Sequence, residues 1–173
     1  MSPDALCPSC STRSLAPTGD FFVDPIERRP ILGEKKRVLF LCTHNSARSQ
    51  MAEGLLRHLA SNRFEAMSAG TEATRVRPLA IRAMEEIGID ISEQESRTLD
   101  RYLQERFDYV ITVCDDANEA CPFFPGAQSR LHWSFEDPSK AEGTEEERLE
   151  VFRRVRDGIK DRVQAELVNG GGT

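Results

Sequence analysis

Apolar positions along this chain fall into short runs separated by segments with three- to four-residue spacing. Runs near 37–41, 64–69, 109–113 and 130–133 are too short for buried helices and predict strands. Helical spacing between and after them predicts helices over about 46–60, 78–87 and 98–106. Pro78 suits the first turn of the second helix, and Gly88 suits its end. A last helix begins at Thr144, where Thr144-Glu145-Glu146-Glu147 has the form of a capping box. Leu149, Phe152, Val155, Ile159, Val163 and Leu167 then recur along it, giving one apolar stripe to lay against a sheet. Strands alternating with helices predict an α/β sheet.

The first run carries the candidate chemistry. Val38-Leu39-Phe40-Leu41 leads directly into Cys42-Thr43-His44-Asn45-Ser46-Ala47-Arg48-Ser49. Ser46 or Ser49, followed by Gln50-Met51-Ala52-Glu53-Gly54, reads as a helix opening. The connecting loop therefore faces a helix N-terminus. Unpaired N–H groups and the positive end of the helix dipole converge there, favouring a tetrahedral anion and the thiolate of Cys42 alike. Arg48 can clamp two oxygens of that anion. Ser49 can donate to the thiolate, and Asn45 can hold an unusual backbone conformation through its side-chain amide. Cys42 is thus the candidate nucleophile, with Thr43, His44, Asn45, Ser46, Ala47, Arg48 and Ser49 as candidate anion-binding residues. A free cysteine at a strand end is commonly a core residue. Strand, helix opening, arginine and trailing serine together favour the oxyanion site.

A second thiol is delivered by the third run. Tyr109-Val110-Ile111-Thr112-Val113 ends on Cys114, at the same edge of a parallel sheet as Cys42. Cys121 follows seven residues later. Seven residues of helix rise about 10.5 Å, beyond the roughly 7 Å limit for a disulfide, so pairing Cys114 with Cys121 needs the segment to unwind. Asp115, Asp116 and Asn118 favour turns and caps, which suits that. Without a secretory signal, a disulfide-capable pair points to redox catalysis more than to structure. Two unrelated buried thiols or two metal ligands are the alternatives, and no C-x2-C or histidine partner lies nearby in sequence for a metal. Asp137 follows the fourth run and would sit at the same edge, as a general acid or as the first residue of an Asp-Pro turn.

On these motifs the chain resembles a known family. They are Cys42-Thr43-x-Asn45-Ser46-x-Arg48-Ser49-Gln50-Met51-Ala52-Glu53-Gly54, then Ser68-Ala69-Gly70, Cys114, Cys121-Pro122 and His132-Trp133-x-Phe135-x-Asp137-Pro138. Over about 36–168 they are similar to the thioredoxin-coupled arsenate reductases of the low-molecular-weight tyrosine phosphatase superfamily. The resemblance implies a four-stranded parallel sheet flanked by helices, in three layers α/β/α. It implies arsenate as substrate, with Cys42 as nucleophile, Arg48 as clamp and Asp137 as general acid. It also implies a disulfide passed from Cys42–Cys114 to Cys114–Cys121 and then to thioredoxin, in arsenic detoxification, with no tightly bound cofactor. Many thioredoxin-coupled relatives have glycine where His44 stands. Some bind potassium through residues matching Asn45, Glu53 and Ser68, with a threonine and an aspartate farther on. Glu95 and Arg97 occupy those last two positions, so a potassium site near Asn45, Glu53 and Ser68 and an internal positive charge from Arg97 are both open.

Composition narrows the picture further. A chain of 173 residues with 39% hydrophobic content predicts one buried domain over 36–168, with a flexible tail over 169–173. Net charge −6 argues against nucleic acid or an anionic membrane as partner, so arsenate must be captured by local amides and Arg48. No run reaches membrane-spanning length, and no signal-peptide pattern opens the chain, which predicts a cytoplasmic protein. No apolar stripe is left over, which predicts a monomer. Residues 1–35 lack an apolar period and predict a disordered extension. Within it Cys7-Pro8-Ser9-Cys10 has the spacing of a redox pair or half a zinc site, and an inert tail is the simpler reading. Two rival functions remain open: a tyrosine phosphatase or phosphate-ester hydrolase that leaves Cys114 and Cys121 idle, and a non-catalytic thiol sensor. Glutaredoxin with glutathione is the rival to thioredoxin as reductant.

Overall fold

The computed structural model describes residues 34–115, 124 and 126–170. Cys7, Cys10 and nearly all of the predicted extension lie outside these residues, as do Cys121 and the end of the tail.

Strand β1 (Lys36–Cys42) buries Val38, Leu39, Phe40 and Leu41 completely or nearly so, as a strand covered on both faces must. On one side it pairs in parallel with β2 (Phe64–Gly70), from Lys36↔Phe64 to Cys42↔Gly70. On the other it pairs in parallel with β3 (Phe107–Thr112), which pairs with β4 (Ala127–His132). The order β2-β1-β3-β4 puts the reversal of strand order at β1. In open α/β sheets, ligands bind beyond the carboxyl ends of the strands at that point.

Alternate residues of the strands face opposite cores. Val38, Phe40, Ile111 and Val113 join a cluster with Leu55 and Leu56 of α1 (Arg48–Ala60), Met84 of α2 (Pro78–Glu85), and Phe152 and Ile159 of α3 (Glu145–Arg162). The chain continues from α3 with π-helical bonding over Val163–Val168. Every residue of the predicted stripe from Leu149 to Leu167 is buried in this cluster. Leu39, Leu41, Met67 and Val110 face the other way, against Tyr102, Phe107 and Phe124. None of the helices among the described residues is long and apolar enough to cross a membrane.

Three local expectations give way. The helix predicted over 98–106 is a single 3-10 turn, Leu99–Tyr102. Its apolar residues lie three apart, which stacks them on one face of a 3-10 turn, and Tyr102 meets the Phe107 ring edge-on at 5.8 Å. The fourth strand begins at Ala127, three residues before its apolar signal, because Gln128, Ser129 and Arg130 are exposed on a sheet edge. Polar residues suit an edge, where they discourage pairing with other chains. The first helix opens at Arg48 with no side-chain cap, so neither Ser46 nor Ser49 acts as one.

Gly88 adopts φ +77 in the turn that closes α2, where its N–H donates to Glu85 O at 2.9 Å, a left-handed conformation that favours glycine. The capping box at α3 has both of its bonds. Glu147 N donates to Thr144 Oγ1 at 3.3 Å, and Thr144 N donates to Glu147 Oε2 at 2.7 Å. Thr144→Ala is expected to cost about 1 kcal/mol in urea unfolding, with an unchanged denaturant slope. An unchanged midpoint would show that the box does not support α3.

Candidate active site

The loop from Cys42 to Arg48 crosses the carboxyl end of β1, between β2 and β3. Its conformation is set by Asn45, which adopts φ 45, a region few non-glycine residues enter. The side-chain amide fixes it there. Asn45 Nδ2 donates to Ser49 Oγ and to Ser68 Oγ, each at 2.9 Å. Asn45 Oδ1 accepts from Gln50 Nε2 at 2.9 Å and from the Arg97 backbone N–H at 2.7 Å. Gly70 closes the loop from beneath. A Cβ there would stand 2.6 Å from Thr43 O and 2.8 Å from Asn45 N, so no larger residue fits. No side chain caps the start of α1, so its first N–H groups open onto this loop, where an anion would sit.

Within this loop Cys42 is buried, its sulfur accepting the Asn45 N–H at 3.1 Å with the Ser49 hydroxyl 2.9 Å away. Burial pushes the Cys42 thiol up, and Cys114 nearby adds to the rise. The Ser49 bonds and the charge of Arg48 oppose it without overcoming it. Burial thus opposes the thiolate that the helix terminus and the Asn45 N–H favour.

Arg48 is also buried. It donates to Phe135 O at 2.9 Å and lies 3.2 Å from Asp137 Oδ2. Asp137 accepts from the Ser139 N–H at 3.0 Å and the Ser139 hydroxyl at 2.6 Å. Partial burial raises its pKa, but these bonds and Arg48 outweigh burial and hold it below the usual carboxylate range. Asp137 therefore rests as a carboxylate, capping the 3-10 turn Pro138–Lys140 as well as facing Arg48. A general acid at this position must take its proton from the incoming anion.

The other candidate residues divide by position. Ser46 and Ala47 are buried, and Ser46 O accepts from Arg77 N at 2.8 Å. The His44 side chain lies at the outer rim, 3.7 Å from Glu72, while its carbonyl accepts from Thr74 Oγ1 and Ser96 Oγ, each at 3.2 Å. Cys114 is buried, with its sulfur 3.5 Å from Thr43 Oγ1. Register explains the meeting. Val113 N donates to Leu41 O at 2.8 Å, so the next residue comes alongside the loop that β1 feeds.

Beneath the loop, Ser68 donates to the buried Glu53 carboxylate, whose other oxygen lies 2.6 Å from Arg57. Burial raises the Glu53 pKa against the pull of Ser68, Arg57 and Arg97. Arg97 is itself coupled to Glu53, Glu95 and Tyr102, which together outweigh its own desolvation and raise its pKa. The oxygens of Asn45, Ser68 and Glu53 are thus already engaged, and a guanidinium supplies positive charge beside them. This donor set does not fit a bound potassium ion. Gln50, unremarked in the sequence, is fully buried and donates to Asn45 O, Asn45 Oδ1 and Glu95 O.

Residues 37–169 match the low molecular weight phosphotyrosine protein phosphatase family. The chain belongs to that family. Among its curated relatives is an arsenate reductase of Halalkalibacterium halodurans, 52% identical over 130 residues, covering 75% of this chain and 94% of that one. An arsenate reductase of Bacillus subtilis is 47% identical over 131 residues, 76% of this chain and 94% of its own. A solved arsenate reductase in the phosphate binding state superposes with a TM-score of 0.68 at 38% identity, covering 78% of this chain and 98% of that one. A tyrosine phosphatase from Erwinia amylovora shares the fold at 19% identity, with a TM-score of 0.64 over 79% of this chain and 93% of its own.

Burial and Ser49 act on Cys42 in opposite directions, which a titration can separate. The alkylation rate of Cys42, followed by peptide mass spectrometry, should rise with a midpoint above the about 8.5 of a free thiol. In Ser49→Ala the midpoint should move higher still, because a bond to the thiolate is lost. A wild-type midpoint below that of a free thiol would mean that the helix terminus, not burial, sets the charge of Cys42.

Proposed function

We propose that this protein reduces arsenate to arsenite, with Cys42, Cys114 and Cys121 passing two electrons from an external dithiol to arsenic. The observation that carries the proposal is the buried Cys114 thiol beside Thr43, at the edge of the phosphate-type loop. A hydrolase has no use for a second nucleophile there. The names of the relatives at about half identity support the same substrate.

The chemistry follows from the residues in place. Arsenate as the monoanion sits on the loop amides and on Arg48, which turns its N–H groups from Asp137 to the oxygens. The Cys42 sulfur attacks arsenic. The proton of the Cys42 thiol passes to an arsenate oxygen, one hydroxyl of arsenate departs as water with the proton that Asp137 relays to it, and a Cys42–arsenate thioester remains. The Cys114 sulfur then attacks the Cys42 sulfur. A Cys42–Cys114 disulfide forms, the sulfur–arsenic bond breaks, and its electron pair stays on arsenic. Arsenic goes from the pentavalent to the trivalent state, and arsenite leaves with the proton of the Cys114 thiol. Cys121 next attacks Cys114 and releases Cys42, and the Cys114–Cys121 disulfide is reduced by an external dithiol of the thioredoxin type.

Arsenate-dependent NADPH oxidation with thioredoxin and thioredoxin reductase, run beside phosphate-ester hydrolysis, tests this. Cys42→Ser should abolish both activities. Cys114→Ser and Cys121→Ser should abolish arsenate turnover and spare any ester hydrolysis. Efficient Cys42-dependent ester hydrolysis without arsenate turnover would make the protein a phosphatase.

We further propose that Arg97 replaces a potassium ion beneath the loop, through its charge beside Glu53. Exchanging KCl for NaCl at fixed ionic strength should leave kcat and KM unchanged. A rate that climbs with potassium would refute this substitution.

A further inference from the structure

The ladder bonds that end β3 and β4 stop just short of the second thiol. Val113 N donates to Leu41 O and Trp133 N donates to Thr112 O, both at 2.8 Å, and Cys114 and Asp115 follow. At this point side chains take over from backbone. Asp115 Oδ1 is 2.9 Å from His132 Nε2, and Asp115 Oδ2 accepts from the Ser134 hydroxyl at 3.0 Å. The far side of the imidazole is also held, with His132 Nδ1 2.8 Å from Thr112 Oγ1. A carboxylate only accepts, so Nε2 carries the hydrogen. Ser134 and then His132 hold the Asp115 carboxyl below the usual range, so it accepts as an anion.

We propose that His132, Ser134 and Asp115 are positioning residues for Cys114, clamping the chain next to the thiol so that its sulfur stays in line with Cys42. The inference rests on the reductase reading above. Two observations separate it from a merely structural role. Asp115 is 68% exposed and His132 34%, on an edge strand, so these bonds add little to the stability of the fold. Yet each oxygen of one carboxylate is tied to a different residue after β4 or at its end, which fixes a direction as well as a distance. The step served is geometrically demanding. Cys114 must meet the Cys42 sulfur opposite the sulfur–arsenic bond, and a misplacement of about 1 Å can cost about 100-fold.

The test uses the full chain, reduced beforehand and mixed with arsenate, with arsenite release measured in a single turnover. His132→Ala and Asp115→Ala should slow release at least about tenfold, a fraction of the loss that 1 Å of misplacement can bring. His132→Gln, which restores an N–H near the position of Nε2, should recover much of the rate. Phosphate affinity, read from protection of Cys42 against alkylation, should stay at the wild-type value in all three variants, as should the thermal midpoint. Release at the wild-type rate in both alanine variants would overturn the proposal, as would a parallel loss of phosphate affinity. Failure of the wild-type protein to release arsenite would instead bring down the reductase reading, and the positioning role with it.

Discussion

Everything at this site depends on one side-chain amide. Asn45 stands at φ 45, and all four hydrogen-bonding positions of its amide are filled: two by serines of α1 and β2, one by Gln50 and one by the backbone of Arg97. The amide thus ties the loop to a helix, to a strand and to the segment that precedes the 3-10 turn. Backbone strain of this kind persists only where the surroundings over-determine it. Gly70 completes the restraint by admitting no Cβ beneath the loop. With the loop so fixed, the amides of Thr43 to Arg48 keep their directions without an anion to organise them. Binding then costs little reorganisation.

The same rigidity explains how charge is arranged. A buried thiol, a buried guanidinium and a half-buried carboxylate share one small space, and Arg48 is paired with Asp137 in it. Burial keeps the proton on Cys42, while Ser139 and Arg48 keep it off Asp137. One negative charge beside one positive charge is the cheapest state of such a site. An incoming oxyanion competes with Asp137 for Arg48, so anion and carboxylate cannot both stay unprotonated at close range. In the proposed reaction the substrate brings the proton that Asp137 later returns to the departing oxygen. This makes the protonation state of the substrate, and not only its shape, part of recognition.

Much of this was legible in the residues themselves. Val38 to Leu41 announced a central strand because both faces of it are buried, and Thr144 with Glu147 announced the start of α3 because capping is local chemistry. The start of the edge strand leaves no apolar alternation in the sequence, because Gln128, Ser129 and Arg130 face solvent. The 3-10 turn passed for a helix because Leu99, Tyr102 and Leu103 fit a helical spacing until Leu103 proves exposed, at 39%. At Cys42 two opposing effects differ in how visible they are. A helix terminus can be inferred from sequence, but the depth of burial that opposes it is a property of the whole fold. Gln50 has no such local signature, because its partners Asn45 and Glu95 meet only once the loop after β1 and the segment beside the end of β2 close on one another.

A loop of this design does not choose between hydrolysis and reduction, because both begin with the attack of Cys42 on a tetrahedral oxyanion. What distinguishes them is the second nucleophile. Hydrolysis needs water delivered to the central atom, whereas reduction needs a thiol delivered to the sulfur of Cys42. Here Cys42 and Cys114 are both buried, and the parallel register of β1 with β3 brings Cys114 against Thr43, one residue from Cys42. The thiol is attached to the scaffold, so its effective concentration is set by geometry and not by diffusion. Arsenic then accepts the electron pair of the breaking sulfur–arsenic bond, an outcome that phosphorus in a phosphate adduct does not share. On this view the loop selects the shape and charge of the anion. The placement of Cys114, and of whatever steadies it, decides which of two chemically different ends that anion meets.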